Sequence, residues 1–66
     1  PATNGMTPLA WRVRAEYVDM PGLRLTVSQA ARLLSLPPNV AHDVLEELRH
    51  AAVLTRSSDG MYSLRR

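Results

Sequence analysis

The sequence predicts a mainly α domain in which three helices precede a small β-hairpin. Three observations carry this reading. Thr7-Pro8, Thr26 with Gln29, and Pro37-Pro38 each mark a helix start. Apolar residues after each start recur at helical spacing. Ser57-Ser58-Asp59-Gly60 then separates two short strand-like segments, Val53–Arg56 and Met61–Leu64, as a hairpin turn does.

Helix 1 is expected from Pro8 to about Met20, where Pro21-Gly22 ends it. Thr7 caps the free backbone N–H groups, and Pro8 fits the first helical position because its missing N–H is not needed there. At 100° per residue, Leu9, Val13, Tyr17 and Met20 fall on one stripe, the expected core face. Trp11, Ala15 and Val18 form a second apolar patch almost opposite, with Arg14 beside it. A helix in a small domain has one core to face. Either Trp11 folds over the wing or a neighbouring loop, or the patch meets a partner, with a homodimer through helix 1 as the leading case.

Leu23-Arg24-Leu25 is β-like and leads to Thr26, the cap of helix 2. Gln29 stands three residues on and completes a capping box. Helix 2 is expected over Val27–Ser35, with Val27, Ala30, Ala31 and Leu34 inward and Ser28, Gln29, Arg32 and Ser35 outward. Pro37 cannot continue a helix, and the residue before a proline is pushed out of the α region. Leu36 is then the apolar plug of a turn. Helix 3 runs from about Pro38 to near Ala52, burying Ala41, Val44, Leu45 and Leu48. In the hairpin, Gly60 supplies the positive φ and Leu54 with Tyr62 or Leu64 packs on the helices; a ribbon this short is unstable alone. Met20 and Met61 read as core filler. The whole order is that of a three-helix winged helix-turn-helix: mainly α, with a small β-wing.

Composition bounds the chemistry. The 66 residues make one small domain, placed at 7–66, with 1–6 expected to be disordered or left over from cloning and Met6 the native start. Such a chain buries only about 60% of its unfolded surface. There is no cysteine, so neither a disulfide nor a thiol nucleophile is available. The net charge is +2, the eight cationic side chains are all arginine, and the pI is near 10, a weak pointer to nucleic acid. No apolar run spans a membrane and the start does not read as a signal peptide, so a cytoplasmic protein is expected.

Several segments bear a resemblance: Ala30-Ala31-Arg32-Leu33, Leu36-Pro37, Val44-Leu45-Glu46-Glu47-Leu48, Ala51-Ala52-Val53-Leu54, and Asp59-Gly60-Met61-Tyr62-Ser63-Leu64. Together they resemble the DNA-binding domains of bacterial IclR-type and MarR-type winged-helix regulators. The stretch from Met20 to Leu33 also looks like small stand-alone bacterial winged-helix proteins of unassigned function. About two-thirds of the chain is covered. The resemblance implies a winged helix that reads DNA with helix 3. Two positions depart from it, since Ser35 and Ala52 stand where glycine is common. Ala52 implies a strained helix end or a different one, and Ser35 a looser turn or one shaped by Pro37.

By that analogy helix 3 enters the major groove. Its outward residues are Asn39, His42, Asp43, Glu46, Arg49 and His50, with Val40 and Glu47 at the flanks. Asn39 suits adenine edges, and Arg49 guanine or phosphate. Asp43, Glu46 and Glu47 bring negative charge toward a polyanion, which is a penalty. Glu47 reads as a solvated face. Asp43 and Glu46 stay open between base contact and solvated face, with Glu46 in reach of Arg49 or His50 at helical spacing. The expected DNA-binding set is Ser28, Arg32, Asn39, His42, Arg49, Arg56 and Arg65. Arg24 and Arg66 are further basic positions, and the partner face is Trp11, Ala15 and Val18.

His42, Glu46 and His50 recur at four-residue spacing, but no further ligand is evident, so no metal and no cofactor are expected. No nucleophile, Gly-rich phosphate loop or paired carboxylate points to an enzyme, and no small-molecule ligand is evident. Two functions remain. The first is a module that binds double-stranded DNA, a small transcription regulator. The second is a protein-interaction winged helix using an acidic helix 3 and the Trp11 face.

Overall fold

A computed structural model describes residues 6–65 of the protein. The readings made of residues 1–5 and of Arg66 lie outside the described residues. Met6 packs half-buried against the core, one residue before the expected start of the domain.

Three helices and three strands follow in the order α1 (Pro8–Asp19), β1 (Arg24–Leu25), α2 (Val27–Leu34), α3 (Pro38–His50), β2 (Leu54–Arg56) and β3 (Tyr62–Leu64). This is a winged-helix-like arrangement, mainly helical, as the residue pattern predicts. α3 is the central element and packs on α2, α1 and β2. The core holds Ala10, Val13 and Tyr17 of α1 and Ala30 and Ala31 of α2. From α3 and the strands come Ala41, Val44, Leu45, Leu48, Leu25, Leu54 and Tyr62.

The expected helix starts are present. Thr7 Oγ1 accepts from the Ala10 N–H at 3.2 Å. Thr26 Oγ1 accepts from the Gln29 N–H at 3.2 Å while the Gln29 amide oxygen accepts from the Thr26 N–H at 3.0 Å, the reciprocal capping box. Pro38 opens α3 with Pro37 before it.

The helix ends explain the two missing glycines. Ser35 has φ 55° and Ala52 has φ 62°. Both therefore adopt the left-handed conformation that glycine takes most easily. After α2, the Leu36 N–H donates to the Ala31 carbonyl at 2.9 Å and Ser35 N–H to Arg32 at 3.4 Å. After α3, the Val53 N–H donates to Leu48 at 2.9 Å and Ala52 N–H to Arg49 at 3.0 Å. These are two Schellman ends, with Leu36 and Val53 turned back onto the core. The α3 end is thus strained rather than different, and the α2 turn is tight rather than loose.

Two expectations need correction. Met20 is 47% exposed and lies past the end of α1, so a wheel drawn through it no longer applies; it is not core filler. Met61 is half-buried in the wing turn. The wing is also larger than a hairpin. β1 pairs antiparallel with β3, giving the order β1-β3-β2, with Leu25 opposite Tyr62 and Arg56 opposite Tyr62 on the other side. The third strand ties the ribbon to the loop that feeds α2. Tyr17 adds a second tie, donating from its buried hydroxyl to the Tyr62 carbonyl at 3.0 Å. Burial, with the Tyr62 ring nearby, pushes the Tyr17 phenol up to about 12.

Candidate nucleic-acid interface

The outward surface of α3 divides into two halves. In the N-terminal half, Asn39, His42 and Asp43 are exposed. His42 Nδ1 and Asp43 Oδ1 stand 3.5 Å apart, with both side chains largely in solvent. No described hydrogen bond holds Asn39 to another element.

The C-terminal half is engaged. Arg49 grips Glu46 with two nitrogens, Nη2 to Oε1 at 2.7 Å and Nε to the two oxygens at 3.2 and 3.1 Å. The Tyr62 hydroxyl donates to Glu46 Oε2 at 2.5 Å. The carboxylate therefore sits between its own helix and the wing, with its side chain 20% exposed. The Arg49 guanidinium, then the Tyr62 hydroxyl, hold the Glu46 carboxyl down at about 2. His50 Nδ1 donates to the Glu46 backbone carbonyl at 2.7 Å and not to its carboxylate. Glu46 thus pairs with Arg49 as its helical spacing offers, and not with the His50 ring, and it is joined to the wing as well.

Glu47 departs from the solvated face expected of it. It is half-buried, and its carboxylate accepts from the Thr7 backbone N–H at 2.7 Å and the Thr7 hydroxyl at 3.1 Å. It closes the N-terminus of α1, where negative charge is favoured by the helix dipole. Two of the three α3 carboxylates thus belong to the frame of the domain, and Asp43 alone of them stands out in solvent.

The expected DNA-binding residues form two groups. Ser28 and Arg32 line a shallow groove of about 340 Å³ with Ala31, Leu36 and Pro38, where α2 meets the start of α3. Asn39 follows Pro38 directly. Arg49 and Arg56 line a second, more polar cleft of about 510 Å³ with Ser57 and Ser58, between α3 and the wing turn. Strand alternation explains the meeting, since Arg56 shares the face of β2 that carries buried Leu54 toward the helices. The wing turn is braced locally. Ser57 Oγ hydrogen-bonds the Asp59 carboxylate and accepts from the Met61 N–H at 3.1 Å. Gly60 has φ 84°.

Arg65 joins neither group. Its N–H donates to the Val53 carbonyl at 2.9 Å, which puts it at the base of the ribbon, away from the turn. Arg24 lies opposite Ser63 on the outer face of the sheet. The residues missed by sequence reasoning are Ser57 and Ser58, read only as turn formers.

On the remaining face of α1, Trp11, Ala15 and Val18 are exposed, at 45% for Trp11 and 47% for Val18. Nearly half of Trp11 is therefore left uncovered. The Arg14 guanidinium lies 5.5 Å from the Trp11 ring centre. The spacing of His42, Glu46 and His50 does not make a ligand cluster: among the described residues, no group of three His, Cys, Asp or Glu side chains converges. No helix among them is long and apolar enough to cross a membrane.

Comparison of the chain with models of known protein families, with curated proteins and with solved structures finds no match.

Proposed function

We propose that this is a non-catalytic module that binds double-stranded DNA, a small cytoplasmic transcription regulator of the bacterial winged-helix kind. The observation that supports this best is the engagement of Glu46 and Glu47 inside the domain. Three carboxylates on a helix facing a polyanion weigh against binding, because phosphate neutralisation supplies much of the affinity. Glu46 is compensated by Arg49 and Glu47 is turned toward Thr7 at the start of α1, which leaves Asp43 as the carboxylate standing free on the outward face. The exposed N-terminal half of α3 offers Asn39 and His42 to base edges. Arg32 in the α2 groove and Arg56 in the wing cleft would hold phosphates, and such contacts position without reading sequence. The protein-interaction reading loses part of its support, since Glu46 and Glu47 are tied to Arg49, Tyr62 and Thr7 within the domain.

Binding of labelled duplexes over a salt series tests this. The expected result is affinity that falls with salt, with a log–log slope of about −2 to −4 for two to four neutralised phosphates. Arg32→Ala and Arg56→Ala should each weaken binding to every duplex and flatten the slope by about 1. No binding to any duplex at low salt overturns the proposal.

A further inference from the structure

We infer that the exposed face of α1 is covered by a second copy of this chain, with the two α1 helices packed antiparallel about a twofold axis near Ala15. This does not depend on DNA binding. Trp11, Ala15 and Val18 share the stripe of α1 opposite the core, and all three are exposed. Ala15 lies between the two larger side chains, so at the crossing point the backbones can approach closely, and Trp11 of each copy then covers Val18 of the other. The contact is isologous, as a twofold requires.

Charge identifies the occupant. Arg12 and Asp19 are both exposed and lie on the same flank of that stripe, seven residues or two helical turns apart. In an antiparallel pair, like flanks meet, so Arg12 of each copy reaches Asp19 of the other, twice. Arg14 lies on the other flank and approaches its own counterpart near the axis. Its stacking on Trp11, three residues toward the N-terminus, draws the guanidinium away from that meeting.

A second observation agrees. α1 has no acidic residue in its first turn and no basic residue in its last, and it ends on Asp19. Glu47 supplies negative charge at the N-terminus of α1 from outside the helix, but Asp19 at its C-terminus is opposed by the helix dipole. An antiparallel copy opposes the dipole and brings Arg12 beside the misplaced Asp19. The face offers three apolar side chains, few beside the roughly 20–30 residues a side of a standard interface, so a weak, concentration-dependent dimer is expected.

Sedimentation equilibrium of the full chain, with emission of Trp11, its single tryptophan, tests this. The expected result is a monomer–dimer equilibrium with a blue shift of the emission as concentration rises. Arg12→Asp and Asp19→Arg should each weaken association at least about tenfold, and the double exchange should restore it. All these positions are exposed, so the fold is retained, and circular dichroism checks this. Independently of any variant, salt should weaken the wild-type dimer. A chain that stays monomeric to about 1 mM, an emission unchanged with concentration, or a double exchange that fails to restore association overturns the proposal.

Discussion

The two halves of α3 carry similar residues and use them differently. From Asn39 to Asp43 the polar side chains stand in solvent and no described hydrogen bond ties them to another element. From Glu46 to His50 they are bound: Glu46 to Arg49 and Tyr62, Glu47 to Thr7, His50 to a carbonyl of its own helix. The difference lies in what each half faces. The C-terminal half lies beneath the wing and beside the start of α1, so its carboxylates meet donors from both. The N-terminal half projects past these elements, next to the turn that follows α2. One helix thus serves as frame at one end and as a free polar surface at the other. Charge counted along its sequence misjudges its surface.

Three substitutions can break or sharpen this division. The largest effect is expected from Tyr17→Phe, which removes the hydroxyl bond to the Tyr62 carbonyl in the buried joint between α1 and the wing. Loss of about 1–2 kcal/mol in a denaturant unfolding titration is expected, with duplex affinity unchanged under conditions where the variant is folded.

Glu46→Gln follows. It removes the charge that Arg49 and Tyr62 share and should lower stability by about 1 kcal/mol, allowing for partial exposure. Its pH signature is specific. A carboxyl lowered from 4.5 to about 2 in the folded state stabilises the fold above the unfolded value. That contribution fades as pH falls from about 5 toward 2, and thermal unfolding should show wild type and variant converging over this range.

The smallest effect is expected from Ala52→Gly. At φ 62° the alanine is strained, and glycine should stabilise by about 0.5–1 kcal/mol despite its greater freedom when unfolded. An unchanged midpoint would show that the end of α3 carries no such strain.

Much of this fold is legible from residues close together in the chain. Caps, turns and the apolar stripes of α2 and α3 depend on neighbours within four positions, and Thr26 with Gln29 or Ala41 with Leu48 behave as their spacing predicts. Ser35 and Ala52 show the limit of composition, because the tight helix ends impose a positive φ on residues that do not prefer it. The candidate interface was less legible. Spacing pairs Glu46 with Arg49, yet Tyr62 comes from 16 residues away and Thr7 reaches Glu47 across 40. The pairing of β1 with β3 likewise joins distant segments. Ser57 and Ser58 were readable as a turn, but their place beside Arg49 depends on how the wing folds down on α3.

Selection of preferred sequences from a random duplex pool, with wild type, Asn39→Ala and Glu46→Gln in parallel, tests the division of α3 most directly. The expected result is a preference that Asn39→Ala flattens and Glu46→Gln retains, as follows if Asn39 meets base edges while Glu46 holds the wing. Preference that follows Glu46 instead of Asn39, or no duplex retained at about 50 mM salt, would contradict it.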